Sequence, residues 1–214
     1  MTTPFKVIAF DVDGTLISEK GSWVTLHKYF KSDVQAKKHL ASYDAGDIDY
    51  PTFMRWDIGL WPKPLHVDQI KSVLHTYTLA PDANPVIDEL KKKYEVVLIS
   101  AGIDFLVEDV ARKLGIKHFV ANGIKINKKG LVTGDGIFNV DLSHKEIAMK
   151  SLLSGLNCTP KDCIAVGDSV YDESFLNSAG LSIAKGSKSS LKEKANYAVE
   201  NLEDILSLDL TRTF

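Results

Sequence analysis

Three apolar runs of strand length each stop at a polar residue: Val7-Ile8-Ala9-Phe10 before Asp11, Val96-Val97-Leu98-Ile99 before Ser100, and Cys163-Ile164-Ala165-Val166 before Gly167-Asp168. Short runs without polar alternation are the pattern of strands covered on both faces. Around them, helical periodicity predicts helices over 84–94, 103–114, 144–156 and 171–179, with Pro85 in a first turn and Gly115 closing a helix. Leu181–Ala184 and Tyr197–Val199 are weaker strand signals. Strands alternating with helices of these lengths predict an α/β fold, a doubly wound and mainly parallel sheet. Segment 124–142 departs from that rhythm. Lys128-Lys129-Gly130 has turn chemistry between Ile124-Lys125-Ile126 and Leu131-Val132-Thr133, which predicts an antiparallel excursion.

Residues 17–80 hold no convincing buried strand. They carry all three tryptophans, Trp23, Trp56 and Trp61, with breaks at Gly46, Pro51, Pro62 and Pro64. An insertion of this kind directly after the first strand predicts a small helical cap over the strand ends, with 1–16 and 81–214 forming the core. The chain of 214 residues, 44% hydrophobic with a net charge of −2, suits one such globular unit. Both signs are interspersed, which argues against a nucleic-acid partner or a polybasic membrane surface. The short basic clusters at Lys91–Lys93 and Lys185–Lys194 read as solvated faces. No apolar run approaches the roughly 20 residues that span a bilayer. The N-terminus passes straight into the first strand, so no signal peptide and a cytoplasmic location are expected. Cys158 and Cys163 lack CxxC spacing and flanking histidines, so neither is expected at a metal or catalytic site.

The first strand ends in Asp11-Val12-Asp13-Gly14-Thr15. Two carboxylates so close repel each other and lose hydration, a costly arrangement unless a cation or a proton is shared. Gly14 permits a sharp turn and Thr15 adds a hydroxyl, so the run reads as a metal-assisted aspartyl nucleophile. In a doubly wound sheet the strand ends meet near the switch point, which would gather Asp11, Ser100 and Asp168. Lys145, opening a helix, and Asp172, one turn past Asp168, would join them. Singly, Ser100 could cap a helix, Lys145 could be a surface charge and Asp172 could lie in a helix first turn. Packing alone does not explain all of them together.

In this order and spacing the residues resemble the haloacid-dehalogenase superfamily, on its phosphoserine-phosphatase-like branch with a helical cap. Asp11–Thr15 matches the first motif, Ser100 the second, Lys145 the third, and Gly167-Asp168-Ser-Val-Tyr-Asp172 the fourth. The resemblance implies a Mg2+-dependent phosphatase acting on a small phosphorylated metabolite. It implies Asp11 as nucleophile and Asp13 as general acid and base. Asp11, the carbonyl of Asp13 and Asp168 would hold the metal, with Asp172 orienting Lys145 or a metal-bound water. Ser100, with Ala101 and Gly102 beside it, would bind the phosphoryl group, and Lys145 would offset its charge. Arg55 and Glu19, with Trp23 and Trp56, would set specificity from the cap. Two positions depart from the branch: Lys20 stands where a glutamate is usual, and Tyr171 where an asparagine is usual. The alternatives on the same residues are a phosphotransferase or mutase and a non-catalytic binding module.

Overall fold

A computed structural model describes residues 5–18, 21–186 and 191–211; Glu19 and Lys20 lie outside the described residues. A seven-stranded sheet runs in the order β4-β3-β2-β1-β5-β6-β7. Its strands are β1 (Val7–Phe10), β2 (Glu95–Ile103), β3 (His118–Ile126), β4 (Val132–Ile137), β5 (Cys163–Gly167), β6 (Leu181–Lys185) and β7 (Tyr197–Val199). All neighbours pair in parallel except β3 and β4, which form the antiparallel excursion. The central strands bury nearly every residue, as their unbroken apolar runs require. Alternate residues serve opposite faces. Ile8, Phe10, Leu98 and Val166 pack in one core cluster, and Val7, Ala9, Val97 and Ala165 in the other. On the first face lie α5 (Ala83–Leu90) and α6 (Asp104–Leu114), and on the second α7 (Lys145–Gly155) and α8 (Glu173–Ser178).

Three sequence expectations need correction. The run ending at Ile99 continues as strand to Ile103, because β2 pairs again with β3 at Ile103↔Asn122 after a register shift. β3 begins at His118, well before Ile124; next to the β4 edge it is only partly covered, so it shows no continuous apolar run. The helix expected over 171–179 is a 3-10 turn at Val170–Asp172 followed by α8. Gly115 does close α6, in the left-handed conformation at φ 62.

Four helices fall between β1 and α5: α1 (Ser22–Tyr29), α2 (Asp33–Asp44), α3 (Tyr50–Gly59) and α4 (Val67–Leu74). The segments leading in and out run side by side, with Ser18 N donating to Thr78 O at 3.0 Å and Ala80 N to Leu16 O at 2.9 Å. One buried carboxylate ties three of the helices. Asp57 on α3 pairs with His27 Nε2 of α1 at 2.9 Å and His39 Nδ1 of α2 at 2.7 Å. Among the described residues no helix is long and apolar enough to cross a membrane.

Candidate active site

The C-terminal ends of β1 and β5 lie side by side, with Phe10 in register with Val166, and they carry Asp11 and Asp168 to one edge of the sheet. Lys145, at the first position of α7, meets them there. A cation at a helix N-terminus opposes the helix dipole, and burying it adds desolvation, so this lysine needs strong partners. It has two: Nζ donates to Asp11 Oδ1 and to Asp172 Oδ1, each at 2.6 Å. Burial alone would lower the Lys145 pKa, but the two carboxylates outweigh it and raise it, so the ammonium stays charged.

Asp172 is fully buried, and its second oxygen accepts from the backbone N–H of Asp168 at 3.1 Å and of Ser169 at 3.0 Å. Both oxygens are therefore engaged in holding Lys145 and the loop that carries Asp168. Asp168 Oδ1 accepts from Thr15 Oγ1 at 2.9 Å. Gly14 makes the close approach possible. It sits at φ +89, and a Cβ there would lie 2.5 Å from Asp168 Oδ2.

Carboxylates outnumber cations in this group. Burial holds Asp11 well above the usual carboxylate range; Lys145 pulls it down, while Asp172, Asp168 and Asp13 push it up. Asp168 is raised by burial and by Asp172, against Thr15, Lys145 and Lys185. Such a cluster calls for a further positive charge. Asp11, Asp168 and Asp172 offer ligand oxygens that all lie within 4.8 Å of one another. Asp11 Oδ2 and Asp168 Oδ2 accept no hydrogen bond from any described residue. Hard oxygen donors around an uncompensated negative charge fit a hard divalent cation.

Asp13 stands apart from that trio. Its Oδ2 accepts from Ser22 N at 3.4 Å, while its buried Oδ1 has no partner. Burial, opposed by the Ser22 N–H, pushes its pKa up to about 6, which keeps a protonated fraction available near neutral pH.

Ser100 is buried, and its Oγ accepts from Gly102 N at 2.9 Å, which leaves its own hydroxyl hydrogen free to donate. The Ala101 carbonyl between them accepts from Trp23 Nε1, Tyr50 OH and Asn122 Nδ2 at 3.1, 2.9 and 3.0 Å. Two cap helices and β3 thus fix this stretch of β2. Ser22 also belongs to the frame, its Oγ accepting from Ile103 N at 2.8 Å. Sequence reasoning missed Ser22, Tyr50 and Asn122. Their signal is their partners, which are distant in sequence.

At Gly102 a Cβ would come within 2.6 Å of Asp13 Oδ2 and 2.7 Å of Ser22 Oγ. Gly102→Ala should therefore cut turnover at least about tenfold by displacing Asp13, and it should also lower the melting temperature, because the new methyl presses on the buried Ser22 Oγ. Unchanged steady-state kinetics in the folded variant would show that this close packing has no catalytic consequence.

A cavity of about 410 Å3 opens above the group. Asp11, Asp13, Ser100, Ala101, Gly102, Lys145 and Asp168 all reach it, as does Trp23 from the cap. Tyr171 also lines it, and its hydroxyl donates to both oxygens of Asp44, at the end of α2, at 3.1 Å. Arg55 and Trp56 do not line the cavity, contrary to the sequence expectation. The face of α3 that is buried carries Tyr50, Phe53, Met54, Asp57 and Ile58, which turns Arg55 and Trp56 outward. Arg55 Nε pairs with Asp135 Oδ1 of β4 at 3.2 Å and is 63% exposed.

A doubly wound sheet with buried carboxylates, one lysine and a cation-demanding cluster at its switch point defines a phosphoryl-transfer hydrolase. The family model for haloacid dehalogenase-like hydrolases matches residues 5–180, and the chain belongs to that family. It is a phosphatase of the phosphoserine-phosphatase-like branch. A phosphoserine phosphatase of Methanocaldococcus jannaschii is 31% identical over 94% of this chain and 96% of its own. One from Albidiferax ferrireducens is 29% identical over 95% and 89%. A substrate-bound phosphoserine phosphatase structure superposes with a TM-score of 0.78 at 28% identity, covering 95% of this chain and 97% of that one. A phospho-aspartyl intermediate analogue of phosphoserine phosphatase gives 0.76 at 28% identity, over 95% and 98%.

Proposed function

We propose that the chain hydrolyses small-molecule phosphate monoesters with Mg2+, through an aspartyl-phosphate formed on Asp11. One observation carries the reading: buried Lys145 bridges Asp11 and Asp172 while Asp11, which lines the cavity, has its Oδ2 without a hydrogen bond from any described residue. The Asp11 carboxylate is the nucleophile. It forms the new P–O bond as the bond to the ester oxygen breaks, and Asp13 gives that oxygen a proton. Asp13 then takes a proton from the water that attacks phosphorus, releasing inorganic phosphate and restoring Asp11. The Ser100 hydroxyl and the Lys145 ammonium meet the phosphoryl oxygens as charge builds on them. Asp11, Asp168 and the carbonyl of Asp13 would hold the Mg2+, which supplies charge neutralisation at the phosphoryl group. Asp172 acts by positioning Lys145. The cap roofs the cavity, which favours a small metabolite over a folded protein or a duplex.

Asp168→Ala is the direct test of the metal assignment. It should raise the Mg2+ concentration for half-maximal phosphate release by at least about tenfold. A Mg2+ titration superimposable on the wild type would remove Asp168 from the ligand set.

A further inference from the structure

We infer that the alcohol released is apolar and uncharged, an aryl or arylalkyl group rather than an amino acid; this rests on the phosphatase reading above. Beyond the phosphoryl group the cavity is walled by Trp23, Val24, Ala36, Leu40, Phe53 and Leu142. Trp23 and Phe53 meet edge to face, with centroids 6.3 Å apart, as part of one aromatic wall. The polar atoms among these walls are already engaged. Trp23 Nε1 and Tyr50 OH both donate to the Ala101 carbonyl. His27 is held by Ser32 on one ring nitrogen and by Asp57 on the other. Asp57 itself is shared between His27 and His39.

A zwitterionic leaving group entering this wall would lose water without gaining partners among the described residues of the wall. The arginine that could hold a carboxylate, Arg55, is paired with Asp135 outside the cavity. Lys145 is held by Asp11 and Asp172, and its remaining N–H serves the phosphoryl group. Asp33 and Lys37 do reach the cavity from α2, one turn apart, and have no ion-pair partner among the described residues. Lys37 is solvent-exposed and Asp33 partly so, which suits the rim, where charge stays hydrated, better than the wall. An aromatic ring, by contrast, gains from every apolar surface it covers.

The test measures phosphate release by the intact protein with Mg2+ from three compounds: the monoesters benzyl phosphate and L-phosphoserine, and the acyl phosphate acetyl phosphate, whose organic part is too short to use the wall. Benzyl phosphate should exceed L-phosphoserine by at least about tenfold in kcat/KM. Phe53→Ala should lower kcat/KM for benzyl phosphate several-fold more than for acetyl phosphate. Leu40→Asn, at a half-buried position, makes the same comparison if Phe53→Ala does not fold. L-Phosphoserine equal to or better than benzyl phosphate, as gripping by Asp33 and Lys37 would produce, overturns the inference and leaves the phosphatase standing. Equal losses on benzyl and acetyl phosphate in both variants also overturn it. No release from any of the three, acetyl phosphate included, sinks the phosphatase reading itself.

Discussion

Asp11→Asn should abolish turnover, by on the order of 10^4-fold or more, in a protein that remains folded. An amide keeps the size of the carboxyl group but lacks the charge that attacks phosphorus and draws in the cation. The fold should tolerate the change because of the sign of the local electrostatics. Burial holds the Asp11 pKa well above its unfolded value of 3.8. A carboxyl raised in this way costs the fold stability as pH climbs from the unfolded value toward the folded one, because the folded state holds the proton to a higher pH than the unfolded chain does. A neutral amide removes that loss, while Lys145 keeps Asp172 as partner at 2.6 Å. In metal-free buffer near neutral pH, the variant should melt no lower than the wild type. Near-wild-type phosphate release from the folded variant would end the covalent reading.

Lys145→Ala should give the largest loss of stability among the site variants as well as loss of activity. Lys145 is 3% exposed, and its ammonium neutralises two buried carboxylates, Asp11 and Asp172, through 2.6 Å contacts. Removing one partner of a buried ion pair costs about 3–5 kcal/mol, because the remaining charges stay in a low-dielectric place without compensation. Against a total stability of about 5–15 kcal/mol this is a large fraction. The loss should shrink when a divalent cation is present, since added positive charge is what the uncovered carboxylates lack. Thermal melts with Mg2+ and with EDTA measure both effects. Lys145→Ala should gain more from Mg2+ than the wild type does. Equal gains, or a melting temperature unchanged from wild type in EDTA, would contradict the charge balance drawn here.

The central strands are legible in the sequence because β1, β2 and β5 are covered on both faces and so read as unbroken apolar runs. β3 is not, because partial cover beside the sheet edge mixes half-buried His118 and exposed Phe119 with buried Ala121 and Ile124. Asp11 and Asp168 were legible for the same reason as the strands, since each directly follows a buried strand that ends; Ser100 follows an apolar run too, but it lies inside β2, which continues to Ile103. The cap offers no such anchor. Residues 50–58 are apolar on nearly every side, so sequence cannot give the rotation of α3, and that rotation alone turns Arg55 to solvent. Asp57 would pass for a surface acid. It is buried because His27 and His39, far away in sequence, pair with it from two other helices. Tyr50 and Asn122 escaped notice likewise, since their role is to donate to the Ala101 carbonyl, a contact made only by the fold.

The stereochemical course at phosphorus tests the central claim most directly. A phosphorothioate monoester made chiral at phosphorus with one heavy oxygen isotope is hydrolysed by the wild-type protein in water of a third oxygen isotope, and the configuration of the released chiral thiophosphate is determined. Attack by Asp11 followed by attack of water is two in-line displacements, so the account predicts retention of configuration. Inversion would mean one displacement by water itself, with no phosphoryl group ever carried on Asp11.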